Sequence, residues 1–115
     1  MSHTMRLTSS MWVAAYVRRC HVEGAYAVVT RRGSPEAGAV FVVLDRLDGT
    51  RTLFSQAPQA LIPDGEVRDR LFIALDNVAD AEAVKARMER EIKFDPDLWI
   101  VDVEDRNGRH FLELA

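Results

Sequence analysis

The chain has 115 residues, 48% of them hydrophobic and 29% charged, with a formal net charge of −3. That length suits one core burying about two-thirds of the unfolded surface, and the composition excludes a disordered chain. The acidic total provides no field that would draw the protein to nucleic acid or an anionic bilayer, so neither is expected as a partner.

All but Lys85 and Lys93 of the 15 basic residues are Arg, a side chain suited to bidentate recognition of carboxylates. Cys20 is the sole cysteine, so no intrachain disulfide can form, a thiolate-rich zinc site is impossible, and a reducing, cytoplasmic compartment fits. There is no export signal and no apolar run of the roughly eighteen residues that a membrane span needs. Met1-Ser2-His3-Thr4 ahead of Met5 reads as a cloning remnant or an alternative start, which leaves residues 5–115 as one α+β domain.

In chain order, Trp12, Val13, Tyr16, Val17 and Cys20 follow the i, i+3, i+4, i+7 spacing of a helix face, with Arg18 and His21 opposite. This predicts a helix over 9–23. Thr8, Ser9 and Ser10 offer N-cap hydroxyls, and Gly24 stands where a left-handed residue would end the helix. The period then shortens, predicting a strand at 25–30 and a turn at 31–35. Residues 39–44 are apolar on both alternating faces, as in a central strand covered on each side. Asp48-Gly49 reads as a type I′ hairpin turn, whose central residues both need positive φ, with 50–56 as the return strand. Residues 57–66 contain Pro58, Pro63 and Gly65 without a period, which predicts a loop pinned by Leu61 and Ile62. A short fourth strand is expected at 71–75.

A second helix follows, N-capped by Asn77 or Asp80, with Ala81, Val84, Met88 and Ile92 as its apolar stripe. It must stop near Phe94-Asp95, because the residue before Pro96 is pushed out of the helical region. The 98–105 strand alternates Trp99, Val101 and Val103 against Asp102 and Glu104, and Asn107-Gly108 predicts a hairpin returning through His110, Phe111 and Leu112. The order is therefore αββββαββ: two helices packed on a mainly antiparallel sheet, in the α+β class. The predicted core takes Trp12, Tyr16, Val28, Val40 and Val42 from the first half, then Phe72, Val84, Met88, Trp99 and Val101. Phe94 and Trp99 should both be buried anchors.

Five blocks resemble the domain-of-unknown-function family 1491: Trp12 through Cys20, Arg31-Arg32-Gly33, Ala37-Gly38-Ala39-Val40, Leu47-Asp48-Gly49 and Phe94-Asp95-Pro96-Asp97-Leu98-Trp99. With Val103-Glu104-Asp105-Arg106-Asn107-Gly108-Arg109 included, the resemblance runs over about residues 5–112. It implies a short alphaproteobacterial, cytoplasmic protein and carries across no catalytic residue or cofactor.

The most enzyme-like group is acidic: Asp95, Asp97, Asp102 and Glu104, with Asp105 beside them, could gather oxygen ligands for a divalent metal in a hydrolase or nuclease-like site. The lysine that commonly accompanies such sites is missing, and alternation places Asp102 and Glu104 on a solvent face. Cys20 sits on the helical apolar stripe and His21 points about 100° away, so no thiol–imidazole pair is expected. His110 reads as a surface residue, and the scattered glycines make no phosphate cradle. Two Arg doublets, Arg18-Arg19 and Arg31-Arg32, could be brought together by the turn at Gly24 to take an acidic protein segment. Asp95 and Asp97 of a second copy would serve, giving a homodimer. The preferred reading is a non-catalytic protein-interaction module without a cofactor; the rival is the metal-assisted hydrolase.

Overall fold

The computed structural model describes residues 7–58 and 70–115. The reading of residues 1–4 and the pinning role of Leu61 and Ile62 lie outside the described residues. Helix α1 (Ser9–Val22) starts where Thr8, in extended backbone, turns its Oγ1 to accept a 3.3 Å hydrogen bond from Met11 N. Backbone carbonyls of Pro35 and Glu36 satisfy two more amides of its first turn, from Ser10 and Ser9. It ends at Gly24, whose φ of +88° is the left-handed conformation expected after a helix.

Five strands follow: β1 (Tyr26–Arg31), β2 (Val40–Asp45), β3 (Arg51–Gln56), β4 (Phe72–Ala74) and, after helix α2 (Ala81–Phe94), β5 (Trp99–Glu104). They form one sheet in the order β1-β5-β2-β3-β4. Every pairing is antiparallel except the central β2–β5 pair, which is parallel. Asp80 rather than Asn77 caps α2, accepting from Ala83 N at 2.8 Å.

The helices cover opposite faces. Val40, Val42 and Leu44 of β2 join the cluster under α1, whereas Phe41 and Val43 join Val84 and Met88 of α2. Since strand side chains alternate, β2 is buried on both sides as its sequence predicts. A loop carrying Gly33 and Gly38 lies flat on the turn that leads into β5. Ser34 N donates to Asp97 O at 2.9 Å, and Trp99 Nε1 donates to Ser34 O at 2.8 Å. A β-carbon at either glycine would collide with the Asp97 carbonyl oxygen, so this contact needs residues without one.

Several expectations give way. Val28 is 39% exposed because α2 packs over β2 and β3, so the α2 side of β1 has no cover. Trp12 is half-buried at the margin of the α1 cluster. Trp99 is an anchor at 2% exposure, but Phe94 is 89% exposed, for it lies two residues, about 200° of rotation, beyond Ile92 on the α2 stripe. Asp45 and Arg51 are paired opposite each other, so a five-residue loop joins β2 to β3, and Leu47 (φ 62°) and Gly49 (φ 91°) carry the positive φ angles rather than Asp48 and Gly49. Finally, His110, Phe111 and Leu112 form no return strand. Among the described residues, the closing segment forms one isolated bridge, which pairs Leu114 with Phe72 in parallel.

Candidate functional site

The route of residues 109–115 builds a concavity against α1. Just after β5, the buried Asp105 accepts three bonds from Arg109: from the backbone N at 2.9 Å, Nε at 3.1 Å and Nη2 at 2.8 Å. This fork reverses the chain through Gly108 (φ 71°), and the guanidinium holds the Asp105 carboxyl below its usual pKa. Because β1 and β2 flank β5 on both sides, no edge is open to a return strand, and the segment crosses the face that α1 covers.

Hydrogen bonds to α1 and β4 hold it there, and one more braces it internally. Tyr16 Oη donates to His110 O at 2.6 Å. Within the segment, Leu112 N donates to His110 Nδ1 at 2.9 Å. Phe72 N donates to Glu113 O and Ala115 N to Phe72 O, both at 2.9 Å, which covers the outer edge of β4. Burial pushes the Tyr16 phenol well above its ordinary value, keeping it a donor, and lowers the pKa of His110, keeping Nδ1 free to accept.

Between these anchors Phe111 adopts φ +57°, an outlier for a bulky side chain that costs about 1–3 kcal/mol and persists only where the surroundings enforce it. Two guanidiniums approach its ring, Arg19 at 6.0 Å and Arg109 at 5.2 Å from the centroid. On the α1 side, Trp12 and Tyr16 stack at 4.9 Å with an 11° interplanar angle. Helix and segment enclose a cleft of about 270 Å³ lined by these three rings, Ala15, Arg19 and Leu112. Arg70 stands at its far end, 5.9 Å from the Trp12 ring and donating to Leu7 O and Ser9 Oγ, and Glu113 forms part of one wall.

The candidate residues read from the sequence are dispersed. Arg18 and Arg19 are exposed near the end of α1, while Arg31 and Arg32 lie at the far end of β1, about 20 Å of strand away. The Gly24 turn therefore separates the doublets instead of uniting them. Arg31 Nη2 donates to Pro96 O at 2.8 Å and Arg32 rests 5.4 Å from the Trp99 ring, so this pair flanks the 95–97 turn of its own chain. There Asp95 Oδ1 accepts from Asp97 N at 3.0 Å. Asp102 and Glu104 lie farther along β5, opposite Val28 and Tyr26 of β1, and burial raises the pKa of Asp102. The four carboxylates do not converge, and among the described residues no three His, Cys, Asp or Glu side chains are grouped to hold a metal.

Cys20 is fully buried, and burial raises the pKa of its thiol. His21 turns instead to the outer edge of β1, its Nε2 2.9 Å from Ala27 O and 3.2 Å from Ala27 N. The sequence reading missed the role of Phe111, Trp12 and Tyr16 in one cleft. The i, i+4 spacing of Trp12 with Tyr16 and of Asp105 with Arg109 was the available signal. No described helix is long and apolar enough to cross a membrane.

Residues 7–113 match the model of a family described as protein of unknown function, DUF1491. A DUF1491 family protein from Caulobacter crescentus is similar in its crystal structure, at 38% identity and TM-score 0.79, over 96% of this chain and 99% of that one. Its NMR structure aligns at 41% identity with a TM-score of 0.79, covering 97% of this chain and 99% of that one. The solution structure of protein Atu0922 from A. tumefaciens is 37% identical with a TM-score of 0.81, covering 96% of each chain. No curated protein matches. With its family model spanning nearly all of the described residues and whole-chain relatives above 30% identity, the chain belongs to the DUF1491 family.

Proposed function

We propose that this protein is a non-catalytic interaction module that grips a segment of another protein in the cleft between α1 and residues 109–115. The observation that carries this reading is Phe111, a bulky residue held at φ +57° so that its ring forms one wall of an aromatic cleft beside Arg19. Strained conformations cluster at ligand clamps and switch regions, where a packed surround maintains them. Aromatic and Arg side chains are also those that dominate binding energy at protein interfaces. The geometry of the other candidate sites accords with this reading: the thiol of Cys20 is buried, and the acidic residues are spread over a turn and a strand face. A reducing, cytoplasmic setting accords with a lone cysteine.

Photo-crosslinking in cells tests the reading. A photoreactive residue in place of Ala15, in the cleft, should yield protein adducts that Arg19→Glu removes. The same probe in place of Glu89, on the exposed side of α2, should yield none. Adducts from position 89 alone, or none from position 15, would overturn the proposal.

A further inference from the structure

The cleft's charge and apolar lining also specify its ligand, an inference that rests on the binding role just proposed. Arg19 is exposed on α1, and among the described residues no acidic side chain forms an ion pair with it. Arg109, the other guanidinium at the Phe111 ring, is committed to Asp105. Arg19 is therefore left without an ion pair at its end of the cleft, with Glu23 one turn further along α1, although the chain as a whole has a net charge of −3. The floor between that end and the Glu113 wall is apolar, made by Trp12, Tyr16 and Leu112. Its volume of about 270 Å³ accommodates one large apolar side chain but not a folded element.

We infer that the cleft takes an acidic peptide segment in which one large apolar side chain seats on the Trp12–Tyr16–Leu112 floor and an adjacent carboxylate meets the Arg19 guanidinium. Charge complementarity favours this occupant over a basic one, which would place a like charge against Arg19. A guanidinium already lying near a ring can hydrogen-bond a carboxylate without leaving that ring, so the Arg19–Phe111 contact orients the fork before the ligand arrives.

The two tryptophans provide a test with an internal control, since the Trp99 indole is buried and bonded to Ser34 O while Trp12 lines the cleft. The probe is a five-residue peptide of leucine flanked on each side by two aspartates, titrated into the labelled protein by NMR. The Trp12 indole cross-peak should move saturably while that of Trp99 stays in place. Arg19→Glu should weaken binding at least about tenfold, with Arg19→Gln intermediate. A peptide with lysines in place of the aspartates should leave both signals unmoved. Three results would overturn the assignment: an unmoved Trp12 signal at millimolar peptide, equal binding of the lysine peptide, or unchanged affinity in Arg19→Glu. If the position-15 probe captures a partner yet the acidic peptide fails, the ligand class falls and the cleft's binding role stands. If the position-15 probe captures nothing, the binding role itself falls.

Discussion

Tyr16 and His110, 94 positions apart in the chain, are joined by a 2.6 Å hydrogen bond from the phenol to the backbone carbonyl. That bond ties residues 109–115 to α1 and so sets the width of the cleft. Tyr16→Phe keeps the ring stack on Trp12 and removes only the donor, leaving a part-buried carbonyl unsatisfied. The loss should be about 1–2 kcal/mol by urea denaturation. Amide exchange at Phe72, which donates to Glu113 O, should rise along with it. Unchanged stability and exchange would mean that the segment is held by its other contacts alone.

Trp99 and Phe94 should separate cleanly. Deleting a buried aromatic costs about 3–5 kcal/mol, so Trp99→Ala should lower the melting temperature steeply. Phe94→Ser, at an exposed site, should stay within about 0.5 kcal/mol of wild type. Equal losses at the two positions would contradict the packing described for the 95–99 turn.

Gly33→Ala and Gly38→Ala place a methyl against the Asp97 carbonyl, which is backbone and cannot rotate away. Each should cost about 1–3 kcal/mol or more, as overpacking does, and disturb the Trp99 indole signal. Gly49→Ala meets no neighbouring atom, so only its positive φ resists substitution. Its loss should stay near about 1 kcal/mol.

Burial lowers the pKa of His110 below 6.5, so on acidification the unfolded chain takes up this proton first. The His110 contribution is therefore whole above about pH 6.5 and declines as pH falls through that value. His110→Asn retains an acceptor for Leu112 N but no titrating group. Between about pH 7.5 and 5.5 the wild type should lose stability that His110→Asn does not. Parallel pH curves for the two proteins would exclude His110 as the group that loosens the segment.

Much of the fold was legible because period and caps are local signals. The Val13–Tyr16–Cys20 stripe, the doubly apolar β2, the left-handed Gly24 and the Asp80 cap all follow from neighbouring residues. What stayed hidden depends on distant partners. The parallel β2–β5 pairing has no turn to announce it. Val28 alternates like a core residue, but α2 lies over other strands. The cleft was illegible for the same reason: Asn107-Gly108 marks a reversal, but β1 and β2 occupy both edges of β5, and the Arg109 fork on Asp105 turns the chain across the α1 side of the sheet instead. Phe111 has no local feature that calls for a left-handed backbone.

If the face formed by α1 and residues 109–115 is where this protein meets its partner, hydrogen exchange on the protein, alone and bound to the partner captured by the position-15 probe, should show added protection along α1 from Trp12 to Arg19 and from Phe111 to Glu113, with α2 unchanged. Protection confined to α2 or to the open β1 side of the sheet, with residues 109–115 exchanging as in the free protein, would contradict that reading.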